Sequence, residues 1–229
     1  MPILRAESRQ VSAAAGIRVW DLPTRLFHWL LVLLFAFSWW SAENRHMDWH
    51  YLSGITLLGL LAFRLLWGLF GSSTARLAAL FASPRAVGRY LGGQGTPRAG
   101  HNPLGGYSVL AMLAFLSLQV GTGLFATDVD GLDSGPLSFL VSFDQGRLAA
   151  TIHAFSFDAL LVLIGLHLAA IAFYALFRRR NLLVPMLTGR DRGAGAEIVP
   201  MKPARFGAFV IAAGLAALLA WQASKGFGL

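Results

Sequence analysis

Two histidines, His153 and His167, lie fourteen residues apart within one long apolar segment, residues 148–177. On an α-helix, fourteen residues make four turns less roughly 40°, so both imidazoles project from one face. They are about 21 Å apart along the axis, at about 1.5 Å per residue, which is most of a hydrocarbon core of about 30 Å. One helix therefore offers an imidazole near each side of a membrane. Two stacked haems need this arrangement of axial ligands.

The composition indicates a membrane protein. Of the 229 residues, 56% are hydrophobic and 13% are charged, and the mean hydropathy is +0.60. Soluble domains are nearer a quarter charged. There is no cysteine, which excludes disulfides, iron–sulfur clusters, thiolate-bound haem and covalent haem attachment. A net charge of +8 is expected here to reflect membrane topology and lipid contact rather than nucleic-acid binding.

Five apolar stretches are long enough to cross a bilayer. They are Leu26–Ala42, His50–Phe70, Leu104–Thr127, Leu148–Phe177 and Phe206–Ala223. We predict an all-α membrane protein, with a four-helix transmembrane haem-binding bundle and a fifth, peripheral C-terminal transmembrane helix. Residues 1–16 are expected to be a cytoplasmic tail, 17–190 the bundle, and 191–229 a linker with the last helix.

The basic residues give these spans a direction. Sixteen of the nineteen Lys and Arg residues fall before the first span, around the loop after the second, or between the fourth and fifth. Only Arg45, Arg147 and Lys225 fall on the other side. The positive-inside rule predicts a multi-pass protein with its N-terminus in the cytoplasm and its C-terminus outside.

This topology assigns a depth to each histidine. His28 and His167 are expected near the cytoplasmic side, and His50 and His153 near the outer side. A lone membrane histidine is more often a hydrogen-bonding residue or part of a proton relay. Two depth-matched pairs favour two bis-histidine haems b, with the four histidines as iron ligands. Such iron is low-spin and keeps no position for a substrate, which is typical of electron transfer.

Other residues near these histidines fit the same interpretation. Gly54 lies one turn beyond His50, where a missing side chain leaves room for a flat macrocycle. Arg64 follows His50 by fourteen residues and is a candidate partner for a haem propionate; the alternative is that it snorkels to the headgroups. Arg25, one turn before His28, has the same two interpretations.

The remaining candidates have more than one interpretation. His46 could replace His50 as the outer ligand, but it lies in a loop outside the apolar span, so we prefer His50. His101 is either part of a helix-capping turn or a contact for quinone or a propionate. Asp158 lies about 140° around the helix from His153 and should face away from the haems. Three residues of the third span are interpreted as helix-packing positions: Gln119, Thr122 and Gly123.

Together these residues form an ordered pattern over about residues 17–190 that resembles the bacterial cytochrome b561 family, including the b-type cytochrome subunits of nickel–iron hydrogenases. The pattern comprises segment 20–29 (WDLPTRLFHW), His50-x-x-x-Gly54 with Arg64, segment 100–104 (GHNPL), and the His153/His167 pair. The resemblance implies a four-helix bundle with two b haems, transmembrane electron transfer and exchange with quinone. It further implies the bacterial inner membrane as the location, so that the C-terminus would be periplasmic. It also implies that His28, His50, His153 and His167 are the haem ligands.

The expected function is electron transfer between a periplasmic redox protein, such as a cytochrome c, and the quinone pool. The chain would act alone or as a subunit of a membrane oxidoreductase complex. One alternative is the haem-containing anchor of a nickel–iron hydrogenase or another periplasmic dehydrogenase. A second is a haem-free, proton-coupled transporter that uses its histidines as a relay. A third is a membrane scaffold without chemistry.

Overall fold

A computed structural model of the chain describes residues 16–95, 99–193 and 198–228. The predicted tail falls almost wholly outside the described residues, as do Arg5, Arg9 and Arg98 of the charge map. In the described part, five helices are long and apolar enough to cross a membrane: α1 (Leu22–Glu43), α2 (Met47–Phe70), α4 (Pro103–Phe125), α5 (Phe143–Leu176) and α7 (Phe206–Ser224). The prediction of an all-α membrane protein with five spans is therefore confirmed.

Short elements connect these helices at the end of the molecule where most basic residues lie. They are β1 (Ile17–Arg18), α3 (Pro84–Leu91), α6 (Leu183–Thr188) and β2 (Arg190–Asp191). The two strands pair antiparallel, with Ile17 opposite Asp191. This pairing brings the chain before α1 beside the segment that follows α5 and α6.

Polar caps set where the long helices begin. Asn102 accepts a hydrogen bond from the Gly105 amide at 2.7 Å and begins α4, as its position before Pro103 predicts. Ser142 and Gln145 form a reciprocal capping box at the start of α5. That box moves the beginning of α5 five residues ahead of its predicted apolar start, so the helix includes polar residues that precede the membrane segment.

Four helices enclose the main core. Its buried members are Phe27 from α1, Leu57 and Leu61 from α2, Leu113, Leu116 and Val120 from α4, and Leu160 from α5. Phe35 of α1 stacks on Phe157 of α5, with ring centres 5.8 Å apart. Much of the remaining apolar surface of the long helices is exposed, as expected for helices that face lipid.

The fifth span packs along α2, outside the four-helix core. Ala212 is buried against Trp67 and Ala75, and Phe209 meets Trp67 edge-on with ring centres 6.1 Å apart. A Cβ added at Gly59 would lie 3.1 Å from the Cβ of Ala220, so glycine permits the close approach of the two helices. This helix was predicted to be peripheral; it lies outside the bundle but is closely packed against it.

A cluster of hydroxyl groups joins α3 to the end of α5. The Tyr90 and Tyr174 hydroxyls hydrogen-bond to each other, and Asn102 donates to the Tyr174 hydroxyl at 2.9 Å. Burial, followed by the bond to Tyr174, raises the pKa of Tyr90 to about 12, although Arg178 and Arg180 oppose the shift. Tyr90 is therefore a neutral, protonated phenol, and its bond to Tyr174 holds α3 against the end of α5.

Asp21 connects the start of α1 to the end of α2. Its carboxylate caps α1 by accepting from the Thr24 amide at 2.8 Å, and it also accepts from the Trp67 indole at 2.9 Å. Only 7% of Asp21 and 3% of Trp67 is exposed, so water does not replace these bonds. One buried carboxylate thus fixes the relative position of the start of α1 and the end of α2.

We expect Asp21→Ala to lower the free energy of unfolding by about 2 kcal/mol, because it removes a helix cap and leaves the buried indole N–H without an acceptor. Thermal unfolding of the purified protein in detergent measures the change. Asp130→Ala, at an exposed loop position, is the control and should stay within about 0.5 kcal/mol. Equal effects of the two substitutions would contradict the role of Asp21.

Candidate functional site

His50 and His153 face each other in the half of the bundle away from the basic cluster, and we call them the outer pair. Their ring centres are 6.2 Å apart, and the ring planes are nearly perpendicular at 86°. A cavity of about 100 Å³ lies beside them and is lined by residues of α1, α2, α4 and α5. The structure thus brings together the outer pair that depth matching predicts.

Each of these imidazoles is held by a helix carbonyl. His50 Nδ1 is 2.9 Å from the carbonyl oxygen of Ser38 on α1. His153 Nδ1 is 2.8 Å from the carbonyl oxygen of Gln119 on α4. A carbonyl accepts only from a protonated Nδ1, so both rings carry their proton there. The lone pair of each ring then lies on Nε2, the usual arrangement for a ligating histidine.

Gln119 contacts the same imidazole a second time through its side chain. Its amide nitrogen lies 2.9 Å from His153 Nε2, and its amide oxygen accepts from the Ser156 hydroxyl. Since His153 Nδ1 is the protonated nitrogen, the Gln119 amide donates to Nε2. The sequence-based interpretation of Gln119 as a packing residue missed this role.

One glycine makes room for the His153 ring, and another borders the cavity. A Cβ at Gly123 would lie 2.9 Å from His153 Cε1, closer than packing allows. Beside the cavity, a Cβ at Gly54 would have nothing within 4 Å. Gly123 is one turn beyond Gln119. This i, i+4 spacing of an amide and a glycine is the feature of the sequence that could have indicated their common contact with His153. Gly54 borders the cavity, and its role in making room for a macrocycle stays a prediction.

The outer pair fits a bis-histidine haem in its donor atoms and spacing. With metal–imidazole bonds of about 2 Å, two axial nitrogens on one iron lie about 4 Å apart and their ring centres roughly 6 Å apart. The observed separation of 6.2 Å agrees with this value. A haem is larger than the cavity, and iron bound at His153 Nε2 would take the position of the Gln119 amide. That side chain must therefore turn away to admit the group.

The inner pair is less closely defined by contacts. His28 and His167 lie in the half of the bundle nearer the basic cluster, close enough for a charge on one imidazole to act on the other. His28 Nδ1 is buried and has no hydrogen-bond partner among the described residues. An imidazole buried in this way fits a site that a further polar group or ligand completes.

Arg64 does not snorkel to the membrane surface. The side chain is only 3% exposed, and Nη1 donates to the carbonyl oxygen of Ala75 at 3.0 Å. The guanidinium carbon lies 5.9 Å from the ring centre of Phe27, and Asp21 interacts with it electrostatically. The snorkelling alternative is wrong because the loop after α2 folds over the guanidinium, which points into the bundle.

Arg25 and the two other histidines lie around these pairs. Arg25 donates through Nη1 to the Leu187 carbonyl, while its Nε is buried without a hydrogen-bond partner in the described part of the chain. His101 packs against Trp20 with ring centres 4.7 Å apart, and the cap of α4 is Asn102 instead. His46 precedes α2 and packs between Trp40 and Trp49, so the geometry favours His50 as the partner of His153.

Comparison with known proteins identifies one family. The family described as prokaryotic cytochrome b561 matches residues 19–189, about three quarters of the chain. No curated protein and no solved structure matches the chain. The matched range contains α1, α2, α4 and α5 with all four paired histidines, and it excludes α7.

We expect Gly123→Ala to displace the His153 ring and break its bond to the Gln119 carbonyl. The free energy of unfolding should fall by about 1–3 kcal/mol through overpacking, and the absorbance of bound haem should decrease. Gly121→Ala is a matched control on the same helix, because a Cβ there meets nothing within 4 Å. The control should be neutral or slightly stabilising, since alanine favours a helix over glycine. If both variants behaved alike, Gly123 would have no particular role at His153.

Proposed function

The chain belongs to the prokaryotic cytochrome b561 family and is a membrane b-type cytochrome in electron transfer, and we propose that it holds two haems b and carries electrons between a periplasmic redox protein and the quinone pool. The observation that best supports two axial ligands at one iron is the His50–His153 pair. Both Nδ1 atoms bind helix carbonyls, and the ring centres lie 6.2 Å apart.

Haem iron, when bound, supplies the one-electron step between ferric and ferrous states. The protein residues hold, orient and insulate it. Ser38 and Gln119 accept from the imidazoles and fix their planes, which makes each Nε2 a better donor. The apolar core around Leu57 and Leu116 excludes water, and it favours the haem oxidation state with less net charge.

A second haem between His28 and His167 is supported by helix geometry and by the polar groups around it. His153 and His167 are about 21 Å apart along α5, so one haem alone would leave about half of the membrane uncrossed. We propose that Arg64 and Arg25 hold propionates of the inner haem. In support, Arg64 is a buried cation on the same helix as His50, and the Nε of Arg25 is buried without a hydrogen bond in the described structure. His101 is proposed to lie at a quinone or propionate contact.

The distribution of charge supports the proposed orientation and outer partner. The face away from the basic cluster carries six acidic residues against three basic ones; the acids are Glu43, Asp48, Asp128, Asp130, Asp133 and Asp144. A mildly acidic periplasmic face suits a basic redox protein such as a cytochrome c. The anchor of a nickel–iron hydrogenase or another periplasmic dehydrogenase is the alternative, with the same chemistry and a permanently bound partner.

A haem-free proton relay has one observation in its favour. The Gln119 amide donates to His153 Nε2, the atom that iron would use. In a relay this bond would persist in the active protein, and the protein would contain no haem.

We expect the purified protein to contain two haems per chain, measured as pyridine haemochromogen against protein concentration. His167→Ala should lower this ratio to one, since the outer pair does not depend on His167. The reduced-minus-oxidised spectrum should keep the α-band of the outer haem. No α-band in the unsubstituted protein would favour the relay, and a ratio of one that His167→Ala leaves unchanged would contradict the inner site.

The choice of outer ligand is tested separately with His50→Ala and His46→Ala. We expect His50→Ala to lose the outer haem, because no other histidine then faces His153. His46→Ala should retain both haems, since its ring packs between Trp40 and Trp49. Haem content and the α-band measure both outcomes. The opposite result would make His46 the ligand.

A further inference from the structure

Asp158 is an acidic side chain on the surface of a membrane-spanning helix. It lies ten residues after Leu148 and nineteen before Phe177, the ends of the apolar segment of α5, and it is exposed. At about 1.5 Å per residue it is about 7 Å from the midpoint of that segment. The side chain is too short to reach water on either side, so in an isolated chain it would contact lipid.

Among the described residues, no neighbour satisfies this carboxyl group. Asp158 makes no hydrogen bond or ion pair with any residue that the structure describes. It projects about 140° away from His153, so it does not serve the outer site. Even when protonated, the group keeps a hydroxyl donor and a carbonyl acceptor, and both need partners in hydrocarbon. Ionisable residues inside a membrane usually face another helix or a polar cavity.

The surface around Asp158 allows another helix to approach closely. We call it the Asp158 face and define it by six exposed residues that lie within about 60° of Asp158 on α5: Thr151, Phe155, Asp158, Val162, Gly165 and Ala169. A Cβ at Gly165 would have nothing within 4 Å, so packing within the chain does not require a glycine there. Small residues four apart, such as Gly165 and Ala169, let a second backbone come near.

We propose that the Asp158 face is the docking site of a transmembrane helix from a different protein, and that this helix presents a Lys, Arg or His side chain to Asp158. A cation at this depth would form a charge-assisted hydrogen bond with the carboxylate and would itself need such a partner. The electron-transfer chain would then be a subunit of a membrane complex. The proposal does not depend on the number of haems or on their ligands.

A second copy of the same chain lacks the required cation. The long helices contain three arginines, Arg25, Arg64 and Arg147, and four histidines that lie in pairs inside the bundle, His28 with His167 and His50 with His153. Arg25 lies in the first turn of α1, Arg64 is buried, and Arg147 lies eleven residues, or about 16 Å, from Asp158 along α5. A two-fold dimer through this face would instead place one Asp158 near the other. Charge complementarity therefore favours a different protein.

Site-specific crosslinking in the membranes of the native host tests the proposal. The photoreactive residue p-benzoylphenylalanine is placed at Val162, which is 64% exposed and one turn from Asp158. The control position is Leu218 of α7, which is 51% exposed. We expect the Val162 probe to form an adduct with a different chain. Peptide mapping should find the crosslink within an apolar segment of about 20 residues that carries Lys, Arg or His within one turn of the attachment point. The Leu218 probe should not label that segment.

Substitutions at Asp158 then test the ion pair itself. Asp158→Leu and Asp158→Lys should each lower the adduct yield at least tenfold without changing the haem spectrum of the chain, which also reports that the variants fold. Replacing the mapped basic residue of the partner with Glu should restore the yield for Asp158→Lys. The proposal is overturned by an adduct with lipid alone, with a second copy, or with a segment that has no basic residue, and equally by a yield that does not respond to Asp158.

Discussion

A membrane interior supplies no water to a polar group, and this constraint accounts for the arrangement of the bundle. The N–H of each outer histidine must find an acceptor within the protein. His50 on α2 uses the Ser38 carbonyl of α1, and His153 on α5 uses the Gln119 carbonyl of α4. Each bond links the two helices of one hairpin. The four-helix bundle is thus two hairpins, each with an oriented imidazole, that face each other across one cavity.

The same constraint explains the different environments of the two charged residues within the spans. Arg64 is turned inward, where the Ala75 carbonyl, the Phe27 ring and the field of Asp21 surround its guanidinium. Asp158 is turned outward and has none of these compensations in the described chain. The partners of Arg64 lie in the same chain, which is consistent with a role inside the protein. Asp158 lacks such partners among the described residues, which indicates that its partner comes from another molecule.

Periodic and composition-dependent features were predictable from the sequence. The five spans follow from length and hydropathy, and the partner of His153 follows from depth, because both depend on distances along a helix axis. The roles of Gln119 and Gly123 were not predictable, since they depend on how α4 is rotated against α5. Nor was the packing of α7 along α2, which rests on small residues such as Gly59 that carry no periodic signal.

Electron paramagnetic resonance of the oxidised protein tests the central claim most directly. Two imidazoles on one iron give low-spin Fe(III), and perpendicular ring planes interact about equally with two iron d orbitals, which leaves these orbitals nearly degenerate. The 86° angle between His50 and His153 therefore predicts a low-spin signal of large anisotropy. The carbonyls of Ser38 and Gln119 hold the two imidazole rings at this angle. A high-spin signal from the outer haem, or no iron signal at all, would contradict the assignment of these two histidines as axial ligands.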